Sequence, residues 1–381
     1  MKQKFTPFFS LGVLALFTAY MAEVFVPKAA EVSAPMEMAA MMIPPTTLTA
    51  GDVAIISVQT DGTKGFNFVF LADIGAGTEV FFTDKGVDMN GDLDATNEGV
   101  VKYTAPSDLP AGTVIQFTGI SGDFTEEETG FNLMGTGDQV IAFQGTVASP
   151  TYLFAIQTNS NQFQATLTPQ GTSTLPPGLT EGTTALAVGA GSGDGDEVDN
   201  ADYDEPLTTG TKAELLAAIG NDDNWTGSDQ IITPKAVGPY IVCFGVPTLS
   251  GNDTGCENAS NPSIRTFNVP LTATLNWVVD GDGPAGSGLS NGDEFVAPTT
   301  TSSIRTRFFS DRDNREARLN VSDGAPAGTY TFRAYYSSTD CTGELSEPFT
   351  VTILPQPDAP TITGEDEECE GMNAMLNVDV P

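Results

Sequence analysis

Hydrophobic positions in this chain come in short bursts separated by Gly, Pro, Asp and Asn, and within many bursts they alternate with polar residues. That spacing belongs to strands joined by tight turns, because successive side chains on a strand point to opposite faces. It predicts strands at 52–58, 66–71, 78–83, 113–118, 139–144, 151–156, 184–188 and 240–244. One stretch has helical character. Thr211-Lys-Ala-Glu214 is a capping box, Leu215, Leu216 and Ile219 share one face, and Gly220 marks the end. Trp225, just after it, is expected to pack against this helix.

Beyond Gly245 the alternation becomes strict: Leu271, Ala273, Leu275, Trp277 and Val279, then Tyr330, Phe332, Ala334 and Tyr336, then Phe349, Val351 and Ile353. A period of two over such lengths means one buried face per sheet, as in an antiparallel sandwich of immunoglobulin-like size. The expected fold class is therefore all-β: tandem antiparallel β-sandwich modules, with one short helix in the first. The expected divisions are a signal peptide (1–22), a linker (23–49), a first sandwich (50–245), an immunoglobulin-like module (246–355) and the start of a further repeat (356–381). The last rests on an echo: Pro247-Thr-Leu-Ser-Gly251 with Cys256-Glu257 returns as Pro360-Thr-Ile-Thr-Gly364 with Cys369-Glu370. On that reading the chain is a fragment.

A smaller repeat lies inside the first unit. Asp73-Ile-Gly-Ala-Gly-Thr-Glu-Val-Phe-Phe-Thr83 matches Asp108-Leu-Pro-Ala-Gly-Thr-Val-Ile-Gln-Phe-Thr118, and a looser copy begins at Asp323. Gly gives the turn its conformational freedom and Thr begins the extended segment, so the motif reads as a turn feeding a strand.

The N-terminus adds a compartment. Lys2 and Lys4 precede an apolar run from Phe8 to Met21, the pattern of a secretory signal. The composition adds exclusions. Fifty acidic against fifteen basic residues give a net charge of −35, which opposes binding to nucleic acid or anionic lipid. Histidine is absent, which removes imidazole metal sites and the Ser-His and Cys-His nucleophile systems. Acidic pairs suited to glycoside hydrolysis are too numerous to single any out.

Two acidic stretches invite cation binding. In Asp88-Met-Asn90-Gly-Asp92-Leu-Asp94, oxygen ligands alternate as in the first half of a calcium loop, making Asp88, Asn90, Asp92 and Asp94 the candidate ligands. Leu93 stands where such a loop needs Gly, and Gly99 where it needs Glu. The second stretch holds Asp194, Asp196, Glu197, Asp199, Asp202, Asp204 and Glu205 in less order. In an exported chain the cysteines suggest disulfides. Cys256 and Cys341, near the two ends of the second module, are the expected pair; Cys243 is expected to be a buried thiol, and Cys369 the first cysteine of the next repeat.

Several separated motifs carry a family resemblance. Residues Phe66 to Gly86, Gly137-Asp-Gln-Val-Ile-Ala-Phe-Gln-Gly145, Leu175-Pro-Pro-Gly-Leu179 and Gly210 to Ile219 together resemble the N-terminal module of large secreted proteins of the Bacteroidetes, and more distantly the lamin-tail immunoglobulin-like fold. The second unit is similar to immunoglobulin-like repeats of adhesin-like and gliding-motility-associated proteins of the same bacteria. The chain departs from the pattern at Val87, where the family motif continues with Trp. The resemblance implies export by type IX secretion and brings no catalytic residues. The expectation is a non-enzymatic, secreted or cell-surface structural or adhesion protein, with unidentified surface glycans or proteins as partners and no membrane span after signal removal. Two alternatives stand beside it: accessory modules of an exported hydrolase, and a calcium-dependent carbohydrate-binding module.

Overall fold

Phenylalanine-rich strands with few charges can be stable only if both sheets that carry them turn inward, and that requirement organises the first part of the chain. The computed structural model describes residues 44–381 apart from 95–97, 168–171, 190–196, 233–236, 258–261, 312–313, 323, 358–360, 365–375 and 380–381. The signal segment, most of the linker and Cys369 lie outside the described residues. The described residues are almost entirely β, as the hydrophobic spacing predicts.

In chain order the first strands are β1 (Val53–Gln59), β2 (Gly65–Phe70), β3 (Glu79–Thr83), β4 (Val100–Thr104), β5 (Val114–Phe117), β6 (Phe124–Glu128), β7 (Gln139–Thr146), β8 (Ser149–Gln157), β9 (Ala185–Ala187), β10 (Asn200–Tyr203) and β11 (Thr209–Thr211). Helix α1 (Lys212–Ile219), β12 (Trp225–Ser228) and β13 (Ile241–Cys243) follow. One sheet has the order β12-β10-β1-β2-β5 and the other β6-β4-β3-β7-β8-β9, while β11 and β13 form a separate parallel pair. Between the two sheets sit Phe66, Phe68, Phe82, Tyr103 and Phe117; Phe68 and Phe82 have ring centroids 4.6 Å apart. The second sheet is buried on its outer face as well, where Phe81, Ile141, Phe143 and Tyr152 form their own cluster. Adjacent Phe81 and Phe82 thus serve opposite faces. This double burial explains why β7 and β8 read as nearly continuous apolar runs.

All eight strands expected in this part form. Five others were not expected: β4, β6, β10, β11 and β12. Strand β6, Phe-Thr-Glu-Glu-Glu, is an edge whose charges face water. Strand β10, Asn-Ala-Asp-Tyr, has little intrinsic β preference and exists because β1 and β12 pair with it on both sides. The helix forms as its capping box dictates: Thr211 Oγ1 accepts the Glu214 amide, and Glu214 accepts the Thr211 amide at 2.8 Å. Trp225 Nε1 donates to the Ile219 carbonyl at 2.7 Å, so the tryptophan satisfies an orphan acceptor at the helix end while packing on it.

The internal repeat has a structural meaning beyond a turn. The two full copies embrace: Ile74 and Leu109 exchange backbone hydrogen bonds of 2.8 Å in both directions. The Asp73 carboxylate accepts the Ala111 amide, and the Asp108 carboxylate accepts the Ala76 amide. In each copy the threonine hydroxyl donates to the carbonyl three residues back, and Gly77 and Gly112 take φ of 82° and 93°, which favours glycine.

The later strands are β14 (Ser250–Gly251), β15 (Thr254–Cys256), β16 (Ser263–Thr266), β17 (Thr274–Val279), β18 (Glu294–Val296), β19 (Thr299–Thr300), β20 (Ile304–Asp311), β21 (Asn314–Val321), β22 (Gly328–Ser337) and β23 (Phe349–Leu354), then a hairpin of β24 (Thr361–Gly364) and β25 (Leu376–Asp379). Two five-stranded sheets, β14-β16-β21-β20-β19 and β15-β23-β22-β17-β18, enclose Trp277, Leu319, Tyr330, Phe332 and Val351. The alternation in β22 is visible as every second residue buried. Leu271, expected to start this pattern, lies before β17 and is 36% exposed.

The disulfide differs from expectation. Cys341 is bonded to Cys243, with Cα atoms 5.6 Å apart, and Cys256 takes no part in this bridge. The reason is strand geometry. Cys256 pairs with Leu354 at one end of β23, whereas Cys341 follows β22 beyond the Phe332–Phe349 end, so about a strand length separates them. The bridge closes 98 residues and joins the last strand of the first group to the second sandwich. By the loop-entropy estimate such a closure contributes about 4–5 kcal/mol. Beside this joint, Asp73 Oδ2 accepts both Arg315 Nη2 at 2.8 Å and the Leu271 amide at 2.7 Å. Asp73→Ala would leave Arg315 half-buried without its carboxylate. Equilibrium unfolding should register a loss of about 3 kcal/mol, against a change near zero if the contact were ornamental.

Candidate functional site

The end of the first sheet gathers carboxylates that are far apart in sequence. Asn200, fully buried at the start of β10, is the organiser. Its Oδ1 accepts the amides of Thr60 at 3.2 Å and Asp61 at 3.3 Å, and its Nδ2 donates to the carbonyls of Ser228 and Gln230. The Thr60 amide and hydroxyl both donate to the Asp199 carbonyl. Three segments are tied together by these bonds: the turn after β1, the entry to β10 and the exit from β12. Each carries acid. Glu197, Asp199 and Asp229 bring ligand oxygens within 4.8 Å of one another and could hold a metal ion. Asp61 stands close enough for its charge to act on both Glu197 and Asp199.

Burial makes this arrangement costly for negative charge. Asp199 is only 8% exposed, and Asp199 Oδ1 and Glu197 Oε2 are buried with no hydrogen-bond partner. Glu197 is also pressed against the chain: a Cβ at Gly137 would lie 2.8 Å from its own. Burial, followed by the charges of Asp199, Asp229 and Asp61, pushes the Glu197 carboxyl up to about 7. Burial likewise raises Asp199. Next to the cluster, Asp61 lines a cavity of about 270 Å³ with Ser57, Gln59, Asn67 and Ile231, and Ser57 Oγ and Gln59 Nε2 have no partner there.

The loop singled out for calcium is built differently. Asp88 Oδ1 accepts the amides of Asn90 and Asp92, at 2.8 and 3.0 Å, and its Oδ2 accepts Asn90 Nδ2. Those amides hold its carboxyl below the usual carboxylate range. The Asp94 amide donates to Gly86 O, and Val87 bridges Leu93, which packs onto the outer cluster of the second sheet. Leu93 occupies the position that a calcium loop gives to glycine because the loop uses it as a packing residue. Among the described residues, Asp88, Asp92 and Asp94 do not form a convergent acidic group, whereas Glu197, Asp199 and Asp229 do. Glu197 and Asp199 lie in the second acidic stretch of the sequence. Asp61 and Asp229 come from turns with no sequence signal of their own.

Two other buried acids are held by backbone amides. Asp84 accepts the Gly99 and Asn132 amides, and Asp138 accepts those of Met134 and Gln139. Burial raises both carboxyls, and their amide partners oppose it. Among the described residues no helix is long and apolar enough to cross a membrane.

The cluster predicts a pH signature. Glu197 ordinarily titrates near 4.5 and in the fold near 7, so the folded chain binds the extra proton between those values. Its favourable contribution is complete at low pH and is lost as pH rises through about 7. In chelator, the melting temperature should therefore fall between about pH 5 and pH 8, and Glu197→Gln should flatten part of that fall. Parallel profiles for the two proteins would refute the assignment.

No protein-family model and no curated protein matches this chain.

Proposed function

We propose that this is a non-catalytic, exported structural protein that displays β-sandwich modules at or beyond the cell surface. The observation that carries this reading is the joint: the Cys243–Cys341 disulfide, reinforced by Asp73 and Arg315, fastens the second sandwich to the last strand of the first. Disulfides of this kind persist in oxidising compartments outside the cytosol, and a stapled joint suits a spacer that must hold its outer end in place. The signal-like N-terminus and the resemblance to secreted modules point the same way. The mechanism is mechanical presentation: packed sheets give rigidity, and the connecting loops and outer sheet faces meet the partner. The acidic cluster adds calcium to this reading. Glu197, Asp199 and Asp229 offer hard oxygen ligands, and a divalent cation would relieve their mutual repulsion and pin three segments of the sheet end.

Two measurements test it. Thiol labelling of the native protein, combined with protease treatment of intact cells, should find Cys243 and Cys341 bridged and the protein accessible from outside; reduced cysteines in a protected cytosolic protein would overturn the export reading. Calcium should raise the melting temperature by several degrees at about pH 8 and by less at about pH 5, where protons replace it. Identical melts in calcium and in chelator would remove calcium from the account and leave the display reading intact.

A further inference from the structure

The chain is strongly acidic, yet its arginines are not scattered. All seven arginines lie between Arg265 and Arg333, and that stretch contains no lysine. Three of them form a row across the outward face of the β14-β16-β21-β20-β19 sheet: Arg265 is directly opposite Arg318, and Arg318 directly opposite Arg307. Arg305 stands two residues along β20 on the same face, opposite Asn320. Their neighbours Ile304, Thr306, Leu319 and Val321 are buried inward, so register holds the arginines outward.

Like charges directly opposite on neighbouring strands oppose pairing. The fold answers only half of this repulsion. Glu316 receives Arg318 in two hydrogen bonds of 2.7 and 2.9 Å and reaches Arg265 at 3.6 Å. Arg305 and Arg307 are exposed, and among the described residues neither has a carboxylate partner. Both line a groove of about 510 Å³, whose other polar lining includes Thr300, Ser302 and Asn320.

We infer that this arginine face binds an acidic sugar chain, one bearing carboxylate or sulfate groups. This deepens the display reading, on which it rests, by naming the partner class. Guanidinium forks match planar or tetrahedral oxyanions in two-point contacts, which lysine cannot supply. The two free guanidiniums, Arg305 and Arg307, lie two residues apart along β20, about 7 Å, a span that two acidic groups of one flexible sugar chain can bridge. Hydroxyl and amide groups between the guanidiniums suit sugar hydroxyls. Nucleic acid fits less well, because the aromatic ring on this face, Phe309, already has the Arg318 guanidinium 4.6 Å over it and offers no free stacking platform. The groove also lacks the apolar pockets with which a peptide's side chains are held.

The test uses the full chain and four probes: polygalacturonate, dextran sulfate, neutral dextran and single-stranded DNA. Binding to at least one acidic polysaccharide, absent with neutral dextran and weakened by salt, is expected. Arg305→Ala/Arg307→Ala should weaken it at least about tenfold without lowering the melting temperature, since it removes a repulsive pair. Arg333→Ala, on the opposite sheet and paired with Asp280, should leave binding unchanged. No binding to either acidic polysaccharide, binding indifferent to the double substitution, or preference for DNA would overturn the proposal. So would self-association abolished by the double substitution, which would assign the face to a second copy. None of these outcomes bears on the location and thiol state that test the display reading.

Discussion

One carboxylate, Asp73, is shared between two levels of the architecture. One of its oxygens accepts the Ala111 amide and so holds the paired turns of the first sandwich; the other accepts Arg315 and the Leu271 amide from the second. A turn-forming repeat has thereby become a joint. Hydrogen bonds to an ionised group are stronger than neutral ones, and a half-buried carboxylate with three donors is well satisfied. The disulfide a short way along the same joint does not replace this contact. It constrains the unfolded chain and keeps the two groups together, while Asp73 sets which surfaces meet.

The acids of this protein show how the same residue type acquires different roles. Asp88, Asp84 and Asp138 each have backbone amides aimed at their oxygens, and these carboxylates serve as internal caps. Asp199 is buried and Glu197 half-buried, each with one buried oxygen that no donor reaches, and the acids around them add repulsion. Such a group is a net cost to folding at neutral pH unless a proton or a cation answers it. Asn200 enforces the cost by bonding to the very segments that bring the acids together.

Charge is also separated along the molecule. The first group carries most of the acid and only lysine as its described base, whereas arginine is confined to the second. Long-range repulsion opposes association of so acidic a chain with itself, and the arginine face lies inside that field. The Cys243–Cys341 disulfide and the Asp73–Arg315 pair tie the arginine-bearing group to the acidic one.

The sequence by itself determined the class of fold, the helix and the core faces. These rest on local physics: a period of two, a capping box, glycine in turns. Strands β7 and β8 were legible, and their burial on both faces came only with the fold; the strict alternation of β22 was legible as one buried face. Strands β10 and β12 were not legible, because their pairing comes from neighbours rather than from their own residues. Tertiary structure alone decided the cysteine pairing, since a strand length separates Cys256 from Cys341 while Cys243 arrives beside it. It alone decided that Asp88 caps its own loop, and that Asp61 and Asp229 join Glu197 and Asp199. Composition announces acids in abundance, but which of them converge depends on contacts between distant segments, and those contacts have no signature along the chain.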